Sequence, residues 1–316
     1  MWRLTLSLAT FWGALAAGIV ARRRGWLQVH RSRRMIELMI KALEPVIIGL
    51  SFWKLDLSHP RILLLPAIGC VVALSSLPVA WLLGRRLRLS PSEMGIYLPC
   101  AFFSNLGYLG AFVAFALYGE TGFGLAQLYL LFFTPCFYTL GFGLAAHYGA
   151  RRSRVAEETS GHAASLDRLQ LYPIAGLVIG LTLNLLGVRR PAWCGPLNSV
   201  LIPGATAMYL IAIGSTLRVT RLQEDWRACL GMSAVKFLYL PLIGWLIGSA
   251  AGLGAVGQGT ALRVAVLQAS MPVATMPLVL PMLFHVDGEL ANHLWIVTTV
   301  LAVPFLPLVV WVLGRL

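Results

Sequence analysis

Charge is what this sequence has least of. Only 12% of its 316 residues are charged, and its 12 acidic residues face 25 lysines and arginines. A soluble globular domain carries roughly 25% charged residues, so an ordinary water-facing surface cannot be built from this composition. Cysteine is scarce too. Cys70, Cys100, Cys136, Cys194 and Cys229 are odd in number, widely spaced and without a C-x-x-C pair. That excludes a disulfide framework or a cysteine zinc site and leaves them as small packing residues. The 6 histidines are scattered, and H-E-x-x-H, G-x-S-x-G and a Walker-type glycine loop are all missing. An enzyme is therefore not expected, nor a metal, a cofactor or nucleotide-driven pumping within this chain.

What is present is apolar: 58% of the residues, against roughly 45–50% in soluble domains. A bilayer-spanning helix takes about 20 apolar residues. The apolar runs fall at 4–21, 35–54, 61–84, 94–118, 122–147, 171–188, 197–217, 227–250, 260–284 and 291–313, which predicts an all-α membrane protein of ten spans. The net charge of +13 would suggest nucleic acid for a soluble chain. Here the basic residues cluster between the runs, so the charge reads as membrane topology and no nucleic acid partner is expected.

Alternate connections divide the basic residues unevenly. Sixteen fall in the 22–34, 85–93, 148–170 and 218–227 connections, and seven fall on the other side, with Lys41 and Lys236 inside spans. The arginine-rich set belongs in the cytoplasm, which puts both termini outside an inner cell membrane. Ala14-Leu15-Ala16 looks like a signal cleavage site, yet Arg22, Arg23 and Arg24 follow at once, so the first run reads as a retained span.

The long polar connection 148–170 divides the spans five and five, giving repeats over 1–147 and 171–316. Five is odd, so two similar halves would lie inverted in the membrane, the architecture of many secondary transporters. An offset of 166 residues lays Leu117, Tyr118, Gly122, Leu128 and Tyr129 on Leu283, Phe284, Gly288, Leu294 and Trp295. It also lays Ser104-Asn105 on Ser270-Met271, just before Pro272. Span four carries Asn105, Gly107 and Gly110 at membrane depth, and span nine carries Pro272, Pro277 and Pro281. Both spans are expected to be interrupted, because each proline removes a backbone donor and collides with the preceding turn. Such backbone is tolerated in a bilayer only where protein buries it or a wet cavity receives it. Simple kinks from common membrane glycines and prolines are the bland alternative.

Several segments together carry a resemblance. Gly18-Ile19-Val20-Ala21-Arg22-Arg23-Arg24-Gly25-Trp26-Leu27, Asn105-x-Gly107-x-x-Gly110, Ile202-Pro203 running on to Ile213-Gly214-Ser215-Thr216-Leu217, and Ala269-Ser270-Met271-Pro272 resemble the auxin efflux carrier family, in the same order and over almost the whole chain. The resemblance implies a ten-helix fold shared with bile acid:sodium symporters. In that fold spans 4 and 9 cross at their breaks, spans 1, 2, 6 and 7 form a scaffold, and spans 3–5 and 8–10 form the transport part. Similar bacterial carriers move small carboxylates such as malate and malonate. Phe112 stands where the family often has proline, and Met276 where it often has a second asparagine, so indole acetic acid is not implied as substrate.

The residues themselves suggest how an anion would be held. Helix N-termini at a break offer free N–H groups and about half a positive charge, which suits a carboxylate. Asn105 can add an amide donor, with Ser104, Gly107, Ser270, Met271 and Pro272 completing the candidate binding set. For Asn105 the plain alternative is a helix–helix hydrogen bond, and for the serines it is packing. Ionisable residues within spans are the coupling candidates. Glu37, Lys41 and Glu44 share one face of span two; Glu37 and Lys41 can pair and snorkel, while Glu44 is deeper and a candidate proton carrier. Lys236 is ten residues into span eight and can balance a bound anion or a buried carboxylate. The expectation is a proton-coupled or potential-driven carrier of a small organic anion. A sodium-coupled symporter and a ligand sensor without flux stay open as alternatives, and a homodimer is compatible with the sequence.

Overall fold

The computed structural model describes residues 2–149, 171–215 and 225–315, with the backbone alone for residues 2–8 and 29. Regular structure among the described residues is entirely helical. In chain order the helices are α1 (Trp2–Arg23), α2 (Val29–Leu38), α3 (Glu44–Lys54), α4 (Leu65–Arg86), α5 (Pro91–Phe102), α6 (Ala111–Tyr129), α7 (Phe133–Cys136), α8 (Phe142–Tyr148), α9 (Leu171–Leu185), α10 (Cys194–Gly214), α11 (Trp226–Ala234), α12 (Leu240–Ala250), α13 (Thr260–Ala269), α14 (Leu280–Phe284) and α15 (Gly288–Leu313). Five helical stretches among the described residues are long and apolar enough to cross a membrane: Pro60–Arg86, Leu106–Tyr148, Cys194–Gly214, Trp226–Ala250 and Gly288–Leu313. The connection expected at 148–170 lies, from residue 150 on, outside the described residues.

Local chemistry explains many of the helix starts. Ser90 accepts from the Glu93 N–H while the Glu93 carboxylate accepts from the Ser90 N–H, and Pro91 opens α5 where a missing N–H costs nothing. Asp287 caps α15 by accepting from the Leu290 N–H. Pro277 and Pro281 are the second residues of the short helix Met276–Val279 and of α14, within the first turn where no intrahelical donor is needed, so these two prolines begin helices rather than kink one. Gly119, at φ +65°, turns the chain inside α6 between the runs read as spans four and five. Among the described residues four π-helical turns, Met39–Leu43, Leu106–Gly110, Phe137–Gly141 and Val235–Tyr239, interrupt the α-helical rise. Three of them hold residues singled out above: Lys41, Gly107 and Lys236. Such turns insert an extra residue into the helix and often mark functional positions.

The chain divides into two compact units, each discontinuous in sequence. The first comprises Met1–Ser58, Gly107–Gln127 and Ala164–Arg218; the second comprises His59–Leu106, Leu128–Ala163 and Val219–Leu316. In the first, α1 packs on α10 at backbone contact, with Gly18 against the Ile211 carbonyl and Gly214 against the Leu15 carbonyl. Gly49 of α3 meets Gly176 and Gly180 of α9 in the same way. Lipid supplies no hydrophobic drive between helices, so close approach through small residues and dispersion holds such pairs together. At one end of this unit Arg22 donates to the Ser215 carbonyl and Ser32 shares a hydrogen bond with Ser215. At its other end Glu120 accepts two hydrogen bonds from Arg190, of 2.7 and 3.0 Å, and lies 3.3 Å from Lys54. In the second unit α4 packs on α5 and α12, and α15 packs on α5 and α11.

Candidate functional site: paired backbone breaks in the second unit

Helix α5 stops at Phe102, and Phe103 is extended at φ −90°, ψ 115°. Helix α13 stops at Ala269, and Pro272 bars the α conformation from Met271. The two loose segments meet. Ser104 and Val273 form an antiparallel bridge, the Asn105 N–H donates to the Pro272 carbonyl at 2.8 Å, and the Ala274 N–H donates to the Phe103 carbonyl at 3.0 Å. Each break thereby satisfies main-chain groups that the other has released, as a buried backbone requires. Thr298 of α15 accepts from the Val273 N–H and holds the segment from the side.

Lys236 reaches this junction from its π-helical turn. Its side chain is 0% exposed, and its ammonium donates to the Ala101 carbonyl at 2.7 Å, the Ser104 hydroxyl at 2.8 Å and the Phe103 carbonyl at 3.2 Å. In an unbroken helix the Ala101 carbonyl would accept from the Asn105 N–H four residues on. That N–H has gone to Pro272, and the lysine takes its place. Three acceptors match the three hydrogens of an ammonium group, the charged form of the side chain. Among the described residues, Lys236 has no ion pair with a carboxylate. The expectation that it balances a buried acid finds no such acid there.

Gln268 completes the junction and was not anticipated. It is 0% exposed, donates its amide to the Leu106 carbonyl at 3.3 Å, and has no hydrogen-bond partner for its own carbonyl oxygen among the described residues. A polar amide within an apolar run is the same signal that singled out Asn105, and it stands two residues before Ser270. Beside it opens a cavity of about 440 Å³, its open mouth included, walled mainly by apolar groups, with Ser104, Gln268 and Tyr129 among its lining residues. Cys70 and Cys136, 3.9 Å apart at sulfur, lie on its far wall.

The structure places the other candidates as follows. Asn105 is 4% exposed and Met271 is buried, both at the junction. Ser270 is buried and donates back to the Val266 carbonyl within its own helix, which is the packing role. Gly107 begins the second of the three stretches that make up the first unit. Glu44 and Lys41 also belong to the first unit. There Tyr108 donates to the Glu44 carboxylate at 3.0 Å and stacks on Tyr209 with ring centroids 3.3 Å apart. Lys41 is 45% exposed and pairs with Glu37 at 3.6 Å.

With this geometry in hand, comparison with known proteins decides the family. The family described as "Membrane transport protein" matches residues 7–310. The chain belongs to that family. It is the auxin efflux carrier family whose motifs the sequence resembles. A protein named "Uncharacterized transporter" from Methanothermobacter thermautotrophicus is 26% identical over 294 residues, covering 92% of each chain. The apolar helices and the family together make this a multi-pass membrane protein of the transporter class.

Proposed function

We propose that this membrane transport protein is a secondary carrier that moves a small organic anion, a carboxylate, by alternating access. The observation that carries the reading is the junction of the two breaks, which holds Asn105, with Ser104 and Gln268 beside a cavity and one buried cation without an acidic partner among the described residues. A fixed positive charge in a low-dielectric setting favours an anion nearby, because solvent does little to screen it. The ammonium's hydrogens are spent on main-chain and hydroxyl oxygens. Direct contact with the carboxylate is therefore assigned to the Asn105 amide; the Ser270, Met271, Val273 and Ala274 N–H groups already have acceptors and Pro272 carries none, so that run shapes the break rather than donating to the ligand.

The architecture behind this reading is ten spans in two inverted halves, with breaks in spans 4 and 9 crossing at the midplane. One bundle would rock against the other in an inner membrane with both termini outside. Glu44, hydrogen-bonded to Tyr108 in the first unit, is the proton carrier of this scheme. The driving force is a proton gradient or the membrane potential.

The test is a panel of mono- and dicarboxylates, first for thermal stabilisation of the purified protein and then for flux in proteoliposomes. A carboxylate that stabilises the protein and is moved under an imposed gradient supports the carrier. Stabilisation without flux under any gradient would mark a ligand sensor. Flux strictly dependent on sodium would replace the proton with the coupling ion of the bile acid symporters.

A further inference from the structure

The lysine at the first break deserves comparison with a metal ligand set. Three oxygens converge on its nitrogen at 2.7, 2.8 and 3.2 Å: two main-chain carbonyls and one hydroxyl. Both carbonyls stand at the C-terminal end of α5, the negative end of its dipole. Carbonyl oxygens of unwound backbone, a serine hydroxyl and a helix C-terminus are the hard, neutral donors that hold alkali cations in place of their water. An ammonium group is similar in charge and in oxygen distance to such an ion. Lys236, Ala101 and Phe103 are 0% exposed and Ser104 is 5% exposed, so the tethered ammonium leaves an ion from solution little access to these oxygens in the parent chain.

We infer that the break in α5 is a monovalent-cation site whose occupant is built into the chain: the Lys236 ammonium stands where a free sodium or potassium ion would otherwise be bound. A backbone break in lipid leaves carbonyls that need a hydrogen-bond donor or a cation. Here the chain carries that partner on a tether. The Val235–Tyr239 π-helical turn adds the extra residue that aims the side chain at the break. The Phe103 carbonyl also accepts from Ala274, so the cation and the second break share one oxygen. Whatever occupies the site therefore bears on both breaks at once.

This inference deepens the carrier reading by assigning the cation at its junction, and its consequence there is sodium-independent flux. Its own test needs no flux, so the two fail separately.

Purified parent protein, Lys236→Ala and Lys236→Met are melted in sodium, potassium or N-methylglucamine chloride at constant ionic strength. Lys236→Ala vacates the site and keeps its oxygens, whereas Lys236→Met fills the space with an apolar chain. The expected result is a saturable rise in the melting temperature of Lys236→Ala, about 2–5 °C between about 1 and 200 mM sodium or potassium, and none for the parent or for Lys236→Met. Adding Ser104→Ala to Lys236→Ala should at least halve the rise by removing one oxygen. The inference is overturned if the parent responds to alkali ion as strongly as Lys236→Ala does. It is equally overturned if folded Lys236→Ala does not respond, or if that variant cannot be recovered in either alkali salt, since the salt should restore what the lysine supplied.

Discussion

The Asn105 N–H donates to the Pro272 carbonyl across 167 residues of chain, at 2.8 Å. Neither break is complete without the other: Asn105 has left Ala101, and Pro272 has no N–H with which to rebuild a helix. Side chain and main chain at this junction can therefore be separated by mutation. Asn105→Ala keeps the N–H and the break while removing an amide donor to a charged ligand, a loss worth roughly 1.5–3 kcal/mol, or about 10–150-fold in affinity for the carboxylate. Pro272→Ala supplies an N–H, favours closure of the helix and should weaken binding with no ligand-contacting side chain lost. Val200→Ala, on an exposed position of α10, is the control. Parent-like affinity in both junction variants, measured by thermal shift against the best carboxylate, would remove the junction from the binding site.

Glu44 and Tyr108 form the second polar contact under test. An acid-outside pH gradient should change substrate flux in proteoliposomes, Glu44→Gln should weaken that response, and the fold should survive because glutamine keeps the acceptor for Tyr108. Tyr108→Phe should weaken the response in part. A double-mutant cycle should give a coupling of about 0.5–3 kcal/mol, the range for residues in direct contact. Identical flux at every gradient in the parent would take Glu44 out of the mechanism.

Glu120 predicts a stability effect unrelated to transport. Its carboxylate is buried against Arg190, whereas Lys54 is half exposed. Arg190→Met should lower stability by about 1–3 kcal/mol by leaving a buried acid without its two charged hydrogen bonds. The double variant with Glu120→Gln should recover much of the loss, since the uncompensated charge is what costs most. Lys54→Met should be nearly silent, as exposed ion pairs contribute little. Thermal melts of the four proteins check all three statements.

Gly18 and Gly13 lie one and a half turns apart on α1 and should answer oppositely to alanine. A methyl at Gly18 meets the main-chain carbonyl of Ile211, which cannot swing away, whereas a methyl at Gly13 meets nothing. Gly18→Ala should cost about 1–3 kcal/mol and broaden the gel-filtration profile. Gly13→Ala should be neutral or mildly stabilising, because alanine is the better helix former. A sharp, parent-like profile for Gly18→Ala would mean that α1 and α10 are farther apart than described.

Membrane orientation is checked by labelling. In a cysteine-free background, a single cysteine at Ser58 should react from the external face and one at Ser153 from the cytoplasmic face. Reaction of both from the same face would overturn the ten-span arrangement.

What sequence alone determined is the part governed by solvent. Few charges and long apolar runs dictate helices in a bilayer, because lipid offers no partner to open backbone. Asn105 and the Ser270-Met271-Pro272 run were legible as places where helix is hard to continue, since amide, glycine and proline each oppose the helical ladder locally. Tertiary structure decided everything that needs a partner distant in the chain. No spacing rule joins Lys236 to Ala101, Tyr108 to Glu44 or Glu120 to Arg190, because those contacts depend on helix rotation and on where π-helical turns add a residue. Gln268 is the boundary case: its polarity in an apolar run was visible, but only the fold shows that its amide turns toward Leu106 at the other break.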